Sequence, residues 1–204
     1  ANANVTSIKG VITEKTQELD KLTQNYHRSK SRLESLVNIT ERYDGYGNSI
    51  RKIMELKDSN PGILGVIADI IKVEKQYETA IETALGGTIQ NIVTDKENTA
   101  KELINYLKVN KLGRATFLPL NAIHSRNTLE NDNCINEKGV VGVASNLVRV
   151  SFEYEGLAKY LLGRILVVDN IENALVIARK YKYSLRIVTL EGEQLNPGGS
   201  MTGG

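Results

Sequence analysis

Residues 65–87 read GVIADIIKVEKQYETAIETALGG, and residues 142–164 read GVASNLVRVSFEYEGLAKYLLGR. Laid one over the other, Gly65 falls on Gly142, Val66 on Val143, Val73 on Val150, Tyr77 on Tyr154, Leu85 on Leu162 and Gly86 on Gly163. After a short deletion the match resumes. NIVTDKENTAKELINYL (91–107) lies over LVVDNIENALVIARKY (166–181), with Asp95 on Asp169 and Ala100 on Ala174. Each copy reads strand, helix, strand, helix, strand. The first helix carries Tyr77, Ala80, Ile81, Ala84 and Leu85 in one copy and Tyr154, Leu157, Ala158, Leu161 and Leu162 in the other, which is helical spacing. Gly86 and Gly163 follow these helices, where a left-handed cap is expected. The β-branched runs IQNIV (89–93) and RILVV (164–168) predict strands. Asp95 and Asp169 are expected N-caps of the next helices, with Glu172 completing a capping box. Those helices place Ala100, Leu103, Ile104 and Leu107 on one face, and Ala174, Ile177, Ala178 and Tyr181 on its equivalent. A last strand follows in each copy, with Arg114 and Arg186 near its start.

Two such copies predict an α+β (mixed α/β) domain of two subdomains related by a pseudo-twofold axis. Neither half alone buries much core, so the halves are expected to pack on each other. Between them, NTLENDNCINEKG (127–139) is polar and reads as an exposed linker. Ahead of them, DSNPG (58–62) is a strong turn signal.

The N-terminal stretch is a different material. From Val5 to Tyr43 there is no proline, and Gly10 is the sole glycine. In heptads, the a positions are Val5, Ile12, Leu19, Tyr26, Leu33 and Thr40, and the d positions Ile8, Lys15, Leu22, Ser29, Leu36 and Tyr43. That pattern predicts a coiled-coil seam with weak points at Lys15, Ser29 and Thr40. A helix of about 40 residues is roughly 60 Å long, so it needs a partner helix, and no second heptad segment follows. The alternative is an ordinary amphipathic helix packed on its own domain, which the length disfavours. YDGYGNS (43–49) breaks the pattern, and Ile50, Ile53, Met54 and Lys57 then share one side of a shorter helix. The expected segmentation is a coiled-coil helix over 1–44, a connection over 45–62, subdomains over 63–126 and 140–204, and the linker between them. Ala1, Asn2 and Ala3 read as a cloning remnant.

Composition narrows the function. Net charge is +2, and no apolar run is long enough to span a bilayer. Cys134 is the only cysteine, so no intrachain disulfide forms, which fits a reducing cytosol. His27 and His124 lie far apart without a second cysteine, which argues against structural zinc. GGSMTGG (198–204) lacks the Lys-Ser/Thr of a phosphate loop, and neither ALGGT nor LLGRI gives a dinucleotide turn. Ser200 and His124 have no third member to make a hydrolase triad. No catalytic residue and no cofactor are expected. The basic residues Lys101, Lys108, Lys111 and Arg114, with Lys180, Lys182 and Arg186 as counterparts, form a candidate patch for phosphate contact. A solvated helix end explains them equally well, since cations favour the C-terminal dipole.

Four stretches in order, DGYGNSIRKIM (44–54), GILGVIADIIKVEKQYETAIETALGG (62–87), LGRATFLPL (112–120) and NPGGSMTGG (196–204), closely resemble the hinge of structural maintenance of chromosomes (SMC) proteins. The likeness is greatest to the bacterial and archaeal homodimeric type. It implies an SMC-hinge-like domain in the middle of a longer chain whose ATP-binding head halves lie at the two ends. Two hinges would dimerise into a V or ring serving chromosome condensation and segregation, in the cytoplasm on the nucleoid. The coiled-coil partner would be a returning helix beyond Gly204, which makes this chain an excised piece. Accessory subunits would bind near the heads, non-specific DNA binding is expected, and no membrane is. The resemblance assigns the homodimer interface to Gly198, Gly199, Ser200, Met201, Thr202, Gly203 and Gly204, with residues 200–202 forming a strand. The glycines would let a partner backbone approach an open edge. A primarily nucleic-acid-binding domain is the competing reading, which the near-neutral charge disfavours.

Overall fold

The computed structural model describes residues 1–43, 45–125 and 127–204, with the backbone alone for 39–42. The expected boundaries at residues 44 and 126, and the side chain of the a-position Thr40, lie outside the described residues. The chain divides into two compact units, 1–46 and 47–204.

In the first unit a single helix, α1, runs Asn2–Arg42. Its apolar stripe is in solvent: Leu19, Leu22 and Leu33 are each 62 % exposed. The exposed apolar residues include the expected a and d positions Val5, Ile8, Ile12, Leu19, Leu22, Tyr26 and Leu33. Lys15, a weak d position, turns aside to Glu18 at 3.1 Å.

The second unit is built in the duplicated order. It runs α2 (Asn48–Met54), β1 (Ile63–Val66), α3 (Ile67–Ile70), β2 (Lys72–Val73), α4 (Glu78–Leu85), β3 (Ile92–Thr94), α5 (Glu97–Val109) and β4 (Phe117–Pro119). The second half repeats it as β5 (Val140–Val143), β6 (Val148–Arg149), α6 (Glu155–Leu162), β7 (Ile165–Val168), α7 (Ile171–Lys180) and β8 (Arg186–Thr189). It then adds β9 (Gln194–Leu195) and β10 (Met201–Thr202). The sheets are β1-β3-β4 and β10-β9-β8-β7-β5. β3 pairs parallel with β4, as β7 does with β8, while β1 and β5 are antiparallel to their neighbours.

The ribbon β2–β6 joins the halves, pairing Lys72 with Arg149. Those two residues are equivalents in the repeat, so the pseudo-twofold axis passes between them. One core lies across it. Ile67, Ala80, Ile81, Leu85, Val93 and Leu118 from the first half pack with Ala144, Leu157, Leu162, Val167 and Val188 from the second. A smaller cluster, with Val143, Leu166, Ile177 and Ile187, belongs to the second half alone.

Four expectations need correction. Gly86 has φ +53°, but Gly163 is right-handed at −70°. Gly163 is glycine for room: a Cβ there would sit 2.4 Å from the Lys159 carbonyl oxygen and 2.8 Å from Thr128 Cγ2. The first half's strand begins at Ile92, because residues 86–90 form a 3-10 turn that the second half deletes.

The N-caps are Lys96 and Asn170, one residue past the two aspartates, and Asn170 caps Asn173 N–H rather than working with Glu172. Asp95 Oδ1 instead accepts from Lys96 N–H and from Thr99 Oγ1, and Asp169 Oδ1 accepts from Asn170 N–H and Asn173 Nδ2. The Thr99 hydroxyl holds the Asp95 carboxyl below its usual range. Against each aspartate lies a glycine, Gly62 or Gly139, whose carbonyl accepts the aspartate's own N–H. A Cβ at Gly62 would come within 2.9 Å of Asp95, and one at Gly139 within 2.5 Å of Asp169.

Finally, residues 127–139 are not an exposed linker. Leu129 and Cys134 are each 1 % exposed and pack into the second half's cluster. Leu129 N–H also donates to the Gly163 carbonyl at 2.9 Å. Polar composition concealed two buried anchors on consecutive 3-10 turns. Burial holds the Cys134 thiol pKa above its usual value.

The same segment is tied down by Glu137, which accepts from Lys180 Nζ at 2.7 Å and Tyr181 Oη at 3.0 Å. Those bonds pull the Glu137 pKa below its ordinary 4.5 and raise that of Lys180. A carboxylate depressed on folding stabilises fully above its unfolded pKa and stops doing so as pH falls through the folded one. Glu137→Gln should therefore narrow the difference in Tm between neutral pH and about pH 3. Thermal melts of both chains across that range check it.

Candidate functional site

Two features distinguish the surface of the second unit, and both are sheet edges. The first sheet ends at β1 and β4, the second at β5 and β10, and β4 and β10 are the two that matter here. The halves differ here: β8, the equivalent of β4, is covered by β9 and then β10, whereas β4 has no such cover. An uncovered strand presents unpaired N–H and C=O groups and is a template for another strand.

The terminal glycines make the last strand. Residues 196–200 turn back on themselves: Asn196 N–H donates to the Ser200 carbonyl at 2.9 Å, and Gly199 N–H to the Asn196 carbonyl at 3.0 Å. Asn196 Nδ2 also reaches Ser200 Oγ at 3.1 Å. Met201 and Thr202 then pair antiparallel with Leu195 and Gln194. Ser200, expected within the strand, belongs to the turn. Gly198 (+90°), Gly199 (+107°) and Gly204 (+111°) hold positive φ, which side chains disfavour. The first two glycines therefore answer a need of this chain's own turn. Gly203 differs; a Cβ there would meet Glu193 Cγ at 3.2 Å, so the residue just before β9 crowds it. Met201 is 49 % exposed, an apolar side chain standing on an open edge.

Tyr183 supports the turn from below and carries no signal in the sequence reading. Its carbonyl accepts Gly198 N–H at 2.8 Å, and its ring lies 3.8 Å from where a Gly199 Cβ would be. Lys182 and Tyr183 both adopt φ +57°. Lys182 closes α7 as Lys111, at φ +52°, closes α5, with the backbone bonds Tyr183 N–H to Ala178 and Leu112 N–H to Leu107. These are left-handed caps built on lysine where glycine is usual. The doublet of positive φ at two non-glycine residues marks a constrained turn.

The candidate basic residues are placed as follows. Lys101 and Lys108 are exposed on α5 and two helical turns apart, so they share a face. Lys111 and Arg114 are exposed in the loop that follows, and Ser49 Oγ donates to the Arg114 carbonyl at 2.6 Å. Among the described residues none of the four makes an ion pair of 4.0 Å or less with a carboxylate. Of the counterparts, Lys180 is engaged by Glu137. Among the described residues no group of three or more His, Cys, Asp or Glu is arranged to hold a metal. No described helix is long and apolar enough to cross a membrane.

Comparison with known proteins bears on these edges. The family model "SMC proteins Flexible Hinge Domain" matches residues 60–178. The Chromosome partition protein Smc of Clostridium kluyveri is 38 % identical over 208 residues, covering 100 % of this chain and 18 % of the relative. Its counterpart in Desulfitobacterium hafniense is 41 % identical over 192 residues, covering 92 % and 16 %. This chain thus spans less than a fifth of those relatives. Among solved structures, an asymmetric dimer of the Geobacillus stearothermophilus SMC hinge domain superposes with TM-score 0.75 at 39 % identity, covering 89 % of this chain and 75 % of that one. The Pyrococcus furiosus SMC hinge domain superposes with TM-score 0.65 at 35 % identity, covering 85 % and 89 %.

Proposed function

The chain belongs to the SMC flexible hinge family, and from that premise we propose that it joins two copies of itself through paired sheet edges. The observation that carries this reading is the difference between the halves: β4 ends its sheet, whereas β8, its equivalent, is followed by β9 and then by β10 at the end of the other sheet. A twofold operator that sets β4 of each subunit against β10 of its partner makes two equivalent contacts and closes the assembly as a dimer. Exposed Met201 and the glycine turn of residues 196–200 support β10 as one side of that contact. The G. stearothermophilus hinge, described as an asymmetric dimer, supports the pairing of two copies without bearing on which strands meet. Sedimentation equilibrium tests it: a mass twice the 22.6 kDa chain is expected, and a persistent monomer would overturn the reading.

In the intact protein this dimer would bring two long subunits together for chromosome partition, the role named for the relatives. The uncovered leucines of α1 would then lie against a returning helix of the same chain. The chain is a hinge and not an ATPase head, so ATP binding would reside in other parts of the protein, in a cytoplasmic, nucleoid-associated complex. Accessory subunits would act away from the hinge.

Non-specific DNA contact is the second part of the proposal. Lys101 and Lys108 on one face, with Lys111 and Arg114 beyond, are cations free to meet phosphates. Reversing Lys101 and Lys108 to Glu should weaken duplex binding uniformly across sequences and lower the salt slope by about two. Titrations at several salt concentrations measure both. An unchanged slope would mean that these lysines are a solvated helix face.

A further inference from the structure

We propose that the two edges meet in one antiparallel register, with Phe117 opposite the partner's Met201, and that Pro119 is the residue that sets it. This rests on the dimer reading above and goes beyond it by naming the residues that pair.

The register follows from which groups each edge leaves over. Along a strand, successive residues present their N–H and C=O to opposite sides. Ile92 N–H donates to the Thr116 carbonyl at 3.0 Å, and Leu120 N–H to the Thr94 carbonyl at 2.9 Å. Thr116, Leu118 and Leu120 therefore face β3, and Phe117 and Pro119 face outward. Pro119 has no N–H to offer. Its carbonyl is also spent, accepting from Ala122 N–H at 3.1 Å and Ile123 N–H at 3.0 Å. On β4 itself the outward backbone groups are reduced to the N–H and C=O of Phe117.

On β10 the bond from Asn196 N–H to the Ser200 carbonyl, with Thr202 opposite Gln194, turns Ser200 and Thr202 toward β9. Met201 and Gly203 face outward. An edge with one residue to give is satisfied by a single antiparallel pair that exchanges both hydrogen bonds. Pairing Phe117 with Met201 does this and sets Gly199 opposite Pro119, and Gly203 opposite Ala115. The two glycines then lie where the proline ring and the strand end need room. On the same face, the exposed Met201 thioether meets the half-buried Phe117 ring, a favourable sulfur–aromatic contact. Pro119 also stops the ladder at its end of β4, so this pairing cannot zip further.

Cysteine pairs test the register. In this alignment Thr116 faces the partner's Thr202 as a non-hydrogen-bonded pair, with Cα atoms about 4.5 Å apart, within disulfide reach. A shift by two residues separates them by roughly 7 Å, beyond it. Both threonines are exposed, and Cys134 is buried and does not compete. Under mild oxidation, the double variant Thr116→Cys with Thr202→Cys should give a covalent dimer. Pairing Thr116→Cys with Ser200→Cys or with Met201→Cys should not. A bond to residue 200 instead would mean a shifted register, and one to residue 201 a parallel alignment; either overturns the proposal. So does the lack of any bond in a variant that sediments as a dimer. A monomeric parent chain would instead remove the dimer reading itself. The unmodified chain gives a second measurement should the cysteines disturb pairing. Between monomer and dimer concentrations, hydrogen exchange of the Phe117 and Met201 amides should slow at least about tenfold. An unchanged rate at either amide overturns the register.

Discussion

Gly199→Asp should raise the dissociation constant of the dimer by about ten- to a hundredfold, corresponding to roughly 1–3 kcal/mol of backbone strain. One cause lies inside the chain, apart from any crowding against the partner's Pro119. At φ +107° a side chain has space, since the nearest atom to a Cβ would be Tyr183 Cδ1 at 3.8 Å, but the backbone conformation itself is unfavourable. Strain there unseats the turn over 196–200 and with it β10, the strand offered to the partner. The core is spared, because β10 is the outermost strand and its residues are exposed. A dilution series in the analytical ultracentrifuge reads the dissociation constant, and a thermal melt of the same sample should shift little. Gly199→Asn and Gly199→Val separate this cause from a collision with the partner. Asn tolerates positive φ better than β-branched Val. If both weakened the dimer equally, the cause would be collision and not strain.

That distinction marks what the sequence makes legible. The glycine motif is visible in the sequence, but glycine has three separate reasons in this chain, and sequence alone does not sort them. Gly199 serves a positive φ, Gly163 gives room to the Lys159 carbonyl, and Gly203 is crowded by Glu193. The repeat is legible because each half must bury equivalent side chains, so Ala80 and Leu157, or Leu85 and Leu162, keep apolar identity at helical spacing. The segment over 127–139 is not, because Leu129 and Cys134 anchor it through 3-10 turns that leave no periodic trace among polar neighbours. The caps were misplaced by one residue for a related reason. Asp95 and Asp169 do bind the start of each helix, but through the following N–H and a residue-99 or residue-173 side chain, a local choice among several open to an aspartate. Of the candidate site, the β10 edge is visible as glycine-flanked sequence. Its opposite edge is not: Phe117 and Pro119 become an edge only because the first half lacks strands equivalent to β9 and β10.

Leu162→Ala should destabilise both halves together, by about 2–5 kcal/mol. Leu162 is 0 % exposed and lies in the core that α4 and α6 share across the pseudo-twofold axis. Removing its side chain leaves a cavity that neighbours on both sides line, and packed elements relax only partly into such a void. A domain of this size has about 5–15 kcal/mol in all, so the loss is a large fraction of the total. Because the core is common, amides in β3 of the first half should lose hydrogen-exchange protection along with those of β7 in the second. Halves that fold independently would keep β3 unchanged, which would refute the shared core. The equivalent Leu85, 7 % exposed, sits in the same cluster. Leu85→Ala and Leu162→Ala should therefore be non-additive by at least about 0.5 kcal/mol, as residues around one cavity are. Denaturant unfolding of the parent chain, both single variants and the double variant measures that coupling. The same core also reaches the β4 edge, since Leu118 belongs to it. Loosening it should thus weaken the dimer too, although neither leucine lies on an edge strand.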